Sequence, residues 1–274
     1  MFLHPISLVL FSISALGPHA PQPASSAPFP VAHTRPVAIP SDADELVDRL
    51  VRNAAALHAA LPSITAHEVV QTYSSRRFHS QQSRSEGMVQ VARIASAGTL
   101  MEIHRITARN GKPVASDDRT GPAPTSDGFT GAQEMFFSRA NRACFMFTLA
   151  PQPIQTEPLQ LHIALSPEYS SLSGCPRGLE GLSGTALIDP QTRQLMHLER
   201  TVRTGPTIPT QNGSQLSFAS TDYVPARVGD RTFWLPDLTI SSGVQGKSDV
   251  YTAVYYSDYH QYAATVTVLA AASQ

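Results

Sequence analysis

From residue 65 almost to its end, this chain alternates strand-like runs with tight turns and leaves no interval for repeated crossover helices. Parallel strands need crossovers of a dozen or more residues, so the pattern predicts antiparallel strands in hairpin order. The clearest hairpin runs from Gly184 to Asp189, turns at Pro190-Gln-Thr-Arg193 and returns from Gln194 to Val202. Its second arm alternates Met196, Leu198 and Arg200 against Leu195, His197 and Glu199, the period of a half-buried strand. Similar runs at residues 65–78, 88–94, 99–108, 143–149, 159–165, 215–228, 231–240, 249–256 and 259–269 give about ten strands. The last two are expected to meet in a turn at Ser257-Asp258, and 88–94 meets 99–108 at a turn over residues 96–98. Residues 117–128 read as a Pro/Gly/Asp loop and 129–139 as a short helix.

One longer helix precedes the strands. Ser41 suits an N-cap, and Asp42, Asp44 and Glu45 put negative charge on the first turn, where the helix dipole favours it. Leu46, Val47, Leu50, Val51, Ala54, Leu57 and Leu61 then recur at helical spacing, and Pro62 ends the run. A helix with one continuous apolar face must lie on something. The expected fold is therefore mostly β (α+β): a large curved antiparallel sheet or half-barrel with this N-terminal helix packed on its concave face. Residues 41–274 are expected to form a single β-rich domain.

The segment ahead of that domain has a different character. Residues 6–16 form an apolar run of eleven, followed by small residues at Gly17 and Ala20. The run is shorter than the roughly 20 residues of a membrane-spanning helix and matches the apolar stretch of a signal peptide. Residues 1–20 are read as a cleaved signal, although no Lys or Arg precedes the apolar run. Residues 21–40 are rich in proline, which removes backbone donors, and read as a disordered tether. The expected location is periplasmic or secreted, with no integral membrane segment after cleavage. Cys144 and Cys175 are the only cysteines. In an exported chain an even count suggests one disulfide, whereas in the cytosol they would be free thiols.

Composition narrows the partners. A net charge of −1 supplies no field for nucleic acid or an anionic membrane. The locally basic stretch from Arg76 to Arg119 reads as solvated strand faces.

Four stretches carry a family resemblance: Leu61-Pro-Ser-Ile-Thr-Ala-His-Glu68, Gly184 to Glu199, Tyr223-Val-Pro-Ala-Arg-Val-Gly-Asp-Arg-Thr-Phe-Trp-Leu-Pro236, and Tyr256-Ser-Asp-Tyr-His-Gln-Tyr262. Together they resemble a family of secreted acidobacterial proteins. The helix-then-meander order is similar to periplasmic lipoprotein carriers of the LolA/LppX type. That likeness implies a half-open barrel with a helix across its mouth and an apolar cavity for acyl chains. It brings no residue-level motif for lipoprotein binding.

No motif for catalysis, metal or cofactor stands out. His67-Glu68 lacks a second His at zinc-protease spacing. His104, His162, His197 and His260 lie on separate strands, with no local spacing that supports a site. Gly181-Leu-Ser-Gly-Thr185 lacks the final Gly of a nucleophile elbow. Cys175, close to Arg177, reads as a disulfide partner in a turn rather than an activated thiol, and Asn212-Gly213 as a turn. Trp234 is either a core anchor or the rim of a ligand mouth. Tyr251, Tyr255 and Tyr259 fall on one strand face if the pairing is unbroken, as an aromatic ladder or as a wall for an apolar or sugar ligand. The expected function is a non-enzymatic binding protein that needs no cofactor and holds a lipid or lipoprotein-like ligand. Leu46, Leu50, Leu57, Trp234, Tyr251 and Tyr255 would line its cavity, of about 300 Å³ or more. The alternative is an envelope structural or interaction protein with a fully packed core.

Overall fold

The computed structural model describes residues 43–76, 79–93, 100–115, 120–121, 129–151, 157–172, 174–175, 181–202, 214–245 and 247–262. All belong to the second of two compact units, Ala38–Gln274. The expected signal and tether, the Ser41 cap, the turns at 96–98 and 212–213, Arg177 and the strand beyond Tyr262 lie outside the described residues.

Helix α1 (Ala43–Ala60) carries Asp44 and Glu45 in its first turn and His58 in its last. Its buried stripe is Leu46, Val47, Leu50, Val51 and Ala54, the one-sided face expected from the sequence. The Leu61 N–H closes the final turn onto the Leu57 carbonyl at 2.8 Å, and Pro62 stops it. Both ends are held to the sheet side by arginines. Arg142 pairs with Asp44, and with Asp48 at 3.5 Å. Arg93 donates to the carbonyls of His58 and, at 3.0 Å, Leu61. A cation on the last carbonyls also complements the helix dipole.

Among the described residues, twelve strands come after it: β1 (Ile64–Arg76), β2 (His79–Arg93), β3 (Leu100–Arg109), β4 (Lys112–Pro113), β5 (Thr120–Gly121), β6 (Phe145–Leu149), β7 (Leu159–Leu165), β8 (Leu182–Ile188), β9 (Leu195–Val202), β10 (Ser214–Val228), β11 (Arg231–Gln245) and β12 (Ser248–Gln261). Helix α2 (Gly131–Phe137) stands between β5 and β6. All strands join one antiparallel sheet in the order β4-β3-β2-β1-β12-β11-β10-β9-β8-β7-β6, with β5 also on β3. The sheet is a meander whose first and last strands are neighbours. It is open and curved, and it does not close into a barrel, since β4 and β6 are not paired with each other.

Two expectations about the strands are corrected. Residues 80–85 (Ser-Gln-Gln-Ser-Arg-Ser) carry no apolar alternation, yet β2 runs through them, paired residue by residue with β1 from Arg76 opposite His79. Ser257-Asp258 is not a turn. It is a β-bulge inside β12, where the register with β1 shifts between Thr65 and His67 and Asp258 takes φ 53°. A bulge inserts a residue and reverses the facing of the strand beyond it. Tyr259 therefore leaves the face of Tyr255. It packs against Phe129 with ring centroids 6.0 Å apart, and its hydroxyl donates to the Pro236 carbonyl.

The core has two parts. One joins the stripe of α1 to Phe136 and Phe137 of α2 and to inward residues of β6 to β10, among them Leu161, Ala186 and Leu198. Here the sheet must admit a ring: a Cβ on Gly184 would stand 2.6 Å from the Glu199 carbonyl oxygen and 3.1 Å from Phe136 Cζ. The other part gathers Leu61, Ile64, Val89, Val91, Phe129, Leu235, Val254 and Tyr256 around the C-terminal end of α1. Cys144 and Cys175 form the expected disulfide, Cα to Cα 5.7 Å, tying the start of β6 to the segment after β7. The predicted turn at 190–193 is also present. The Asp189 carboxylate accepts the N–H groups of Gln191 at 2.8 Å and Thr192 at 2.6 Å, an Asx turn. The Arg193 carbonyl accepts Asn53 Nδ2 of α1 at 3.1 Å.

Candidate functional site

A cleft opens where the C-terminal half of α1 faces the start of β11. It encloses about 200 Å³ and is half open to solvent. Helix α1 contributes Asn53, Ala56, Leu57 and Ala60, α2 contributes Gln133, and the turn before β9 contributes Gln194. Arg231, Thr232, Phe233 and Trp234 form the opposite wall. The Arg231 guanidinium covers the Phe233 ring at 5.0 Å, so a cation marks the mouth and its alkyl stem extends the apolar wall. The surface is mixed: Leu57, Phe233 and Trp234 are apolar, while the amides of Asn53, Gln133 and Gln194 supply hydrogen bonds.

Of the six expected lining residues, the structure brings Leu57 and Trp234 together in this cleft. Leu46 and Leu50 are closed into the core beneath α1, 0% and 1% exposed, and neither reaches the cleft wall. Tyr251 and Tyr255 alternate with the buried Thr252, Val254 and Tyr256 and point away from α1. With Tyr73, directly opposite Tyr251, they form an exposed strip on the outer face.

Sequence reading missed a buried charge cluster beside the second part of the core. Glu68 and His104 are each 4% exposed. His104 Nδ1 lies 2.8 Å from Glu68 Oε2, and Nε2 lies 3.7 Å from Glu102 Oε2. Glu102 also accepts the Phe129 N–H at 2.7 Å. Desolvation opposes charge on His104, but hydrogen bonds to Glu102 and Glu68 and their charges outweigh it, raising its pKa to about 9. The cluster is legible in part: Glu102 and His104 share an inward face with Leu100 and Ile106, two polar residues where an apolar strand face would have none.

The outer face holds two further features. A groove of about 290 Å³ lies over the bulge, lined by Thr65, Ala66, His67, Gly87, Met88, Thr107, Asp258 and His260. A histidine between two carboxylates stands on β9 and β10: His197 Nδ1 is 2.5 Å from Asp222 Oδ1, and Nε2 is 3.4 Å from Glu199 Oε1. Among the described residues, no three His, Cys, Asp or Glu side chains converge to hold a metal. Among them, no helix is long and apolar enough to cross a membrane.

No protein-family profile matches this chain, and no curated protein matches it. Solved structures are similar to it at low identity. A LolA superfamily protein from Nitrosomonas europaea is 10% identical with a TM-score of 0.35, over 80% of this chain and 94% of that one. A DUF1329 family protein from Desulfovibrio piger is 7% identical with a TM-score of 0.43, over 83% and 96%. A putative outer membrane lipoprotein-sorting protein domain from Vibrio parahaemolyticus is 10% identical with a TM-score of 0.37, over 80% and 92%. No residue role is transferred from them.

Proposed function

We propose that the chain is an exported, non-enzymatic binding protein that receives an apolar chain, acyl or lipoprotein-like, in the cleft between α1 and β11. Residues 1–20 would be its removable signal and 21–40 its tether to the single domain 41–274. The observation that carries the reading is the open cleft of mixed lining that brings Leu57, Phe233 and Trp234 together. Its volume, about 200 Å³, is below that of a drug-sized ligand site, roughly 300 Å³ and above. It therefore suits the end of an acyl chain whose remainder leaves through the mouth beside Arg231. The disulfide supports export, since such bonds persist in oxidising compartments. The closed core beneath Leu46 and Leu50 favours the second reading, an envelope interaction protein that carries no ligand.

Trp234 is the only tryptophan, so its fluorescence reports on the cleft alone. Titration with a dibrominated C16 fatty acid should quench it saturably. Ala56→Arg, at an exposed helix position facing the cleft, should weaken that quenching at least tenfold. Unsaturable quenching, or quenching that Ala56→Arg leaves unchanged, would sink the carrier reading and leave the interaction protein.

A further inference from the structure

We propose that the outer face of the sheet carries a zinc-class cation site on His197 and Glu199, with Asp222 as the group that orients the ligand imidazole. It lies on the sheet face opposite α1 and does not depend on the cleft. His197 and Glu199 are two apart on β9, so the strand's period of two sets both on one face. Leu198 and Arg200 between and beyond them are buried on the other.

Three observations point to a cation. The first is distance. Zinc holds imidazole nitrogen at about 2.05 Å and carboxylate oxygen at about 2.1 Å, so on a tetrahedral ion the two stand about 3.4 Å apart, and on an octahedral ion about 2.9 Å. His197 Nε2 and Glu199 Oε1 are 3.4 Å apart. The second is orientation. His197 Nδ1 is engaged by Asp222 at 2.5 Å, the outer partner that ligating histidines characteristically have. The ring then meets Glu199 either with a second N–H or with a lone pair that a cation must bridge. The third is charge. Two carboxylates flank one imidazole. The residues directly paired with them in the sheet are Leu187 and Thr185 on β8, and Ser220 and Leu238 on β10 and β11, none of them basic.

An imidazole with a carboxylate suits zinc or copper(II), and poorly suits magnesium or calcium. The Glu199 side chain is 46% exposed and that of His197 22%, which leaves room for water in the remaining positions. A site with two protein ligands is weaker than a structural zinc site and exchanges its metal freely.

The test is calorimetric titration of zinc into the full-length chain, in wild type and in His197→Gln, Glu199→Gln and Asp222→Asn. All three positions are partly exposed, and far-UV circular dichroism checks that each variant keeps the sheet. His197→Gln and Glu199→Gln should each lose one equivalent of bound zinc. Asp222→Asn should keep that equivalent and bind it 10- to 100-fold more weakly. Zinc held only by the other histidines would make wild type and His197→Gln indistinguishable, which overturns the proposal. Unchanged affinity in Asp222→Asn, or an equivalent retained in Glu199→Gln, overturns it as well.

Discussion

Raising the pH through 9 should strip the proton from His104 and leave the buried Glu68 and the partly buried Glu102 around a neutral ring. The folded pKa is raised from 6.5 to about 9, so the cluster's contribution is complete below pH 6.5 and is lost as pH rises through 9. At about 1.4 kcal/mol per tenfold change in proton affinity, the rise is worth roughly 3 kcal/mol, of which roughly 2 kcal/mol disappears between pH 7 and 9.5. A urea m-value of about 2 kcal/mol per molar converts that to a fall in midpoint of about 1 M. The assay is urea unfolding followed by Trp234 fluorescence at half-unit pH intervals. His104→Gln alone would strand the buried Glu68 carboxylate beside the partly buried Glu102, at a cost of about 3–5 kcal/mol. The informative comparison is therefore the double variant Glu68→Gln/His104→Gln. It should show no decline between pH 7 and 9.5. Tyr223, Tyr256 and Tyr259, whose pKa values burial pushes up, produce a separate loss above pH 10 in both proteins. A wild-type midpoint that stays flat from pH 7 to 9.5 would refute the reasoning, and so would an equal decline in the double variant.

The packing sets two further outcomes. Cys144→Ser with Cys175→Ser removes a crosslink across 31 positions, which chain entropy puts at about 3–4 kcal/mol; denaturant midpoints of the oxidised wild type and the double variant measure it, and equal midpoints would show that the bond adds nothing. Gly184→Val forces a Cβ against the Glu199 carbonyl and the Phe136 ring, and should cost about 1–3 kcal/mol as overpacking, read as a lowered thermal midpoint with the sheet's circular dichroism retained.

The elements that were legible are those whose information is local. The α1 stripe follows from spacing and charge, and the β8–β9 hairpin from alternation around Pro190–Arg193. The start of β2 was not legible, because its polar residues 80–85 become a strand through partners on β1 rather than through their own pattern. The bulge at Asp258 was hidden for a related reason. Ser257-Asp258 has turn chemistry, and only pairing with β1 keeps the chain extended. That one bulge also decided the tyrosines, since it sends Tyr259 inward and leaves Tyr255 outside. The cleft was half legible. Leu57 and Trp234 carry visible apolar character, but their meeting in one cleft depends on where the folded sheet sets α1. The outer-face trio was missed because His197-Leu-Glu199 gives only two of its members, and Asp222 arrives through the β9–β10 register.

How α1 is fastened limits how any ligand can be taken up. A carrier could open by lifting its helix, or it could present a cleft that already stands open. Lifting α1 would expose Leu46, Val47, Leu50 and Val51, all buried, at about 1.5–3 kcal/mol each. Those four side chains alone amount to about 6–12 kcal/mol, comparable to the whole stability of a domain. The move would also break the contacts of Arg142 at one end of the helix and Arg93 at the other. On the proposed reading, an apolar ligand would therefore enter the cleft with α1 in place, past lining residues such as Ala56, Gln133 and Arg231. Affinity should then depend on the residues at that mouth and be insensitive to substitutions that loosen the helix ends, such as Arg142→Met.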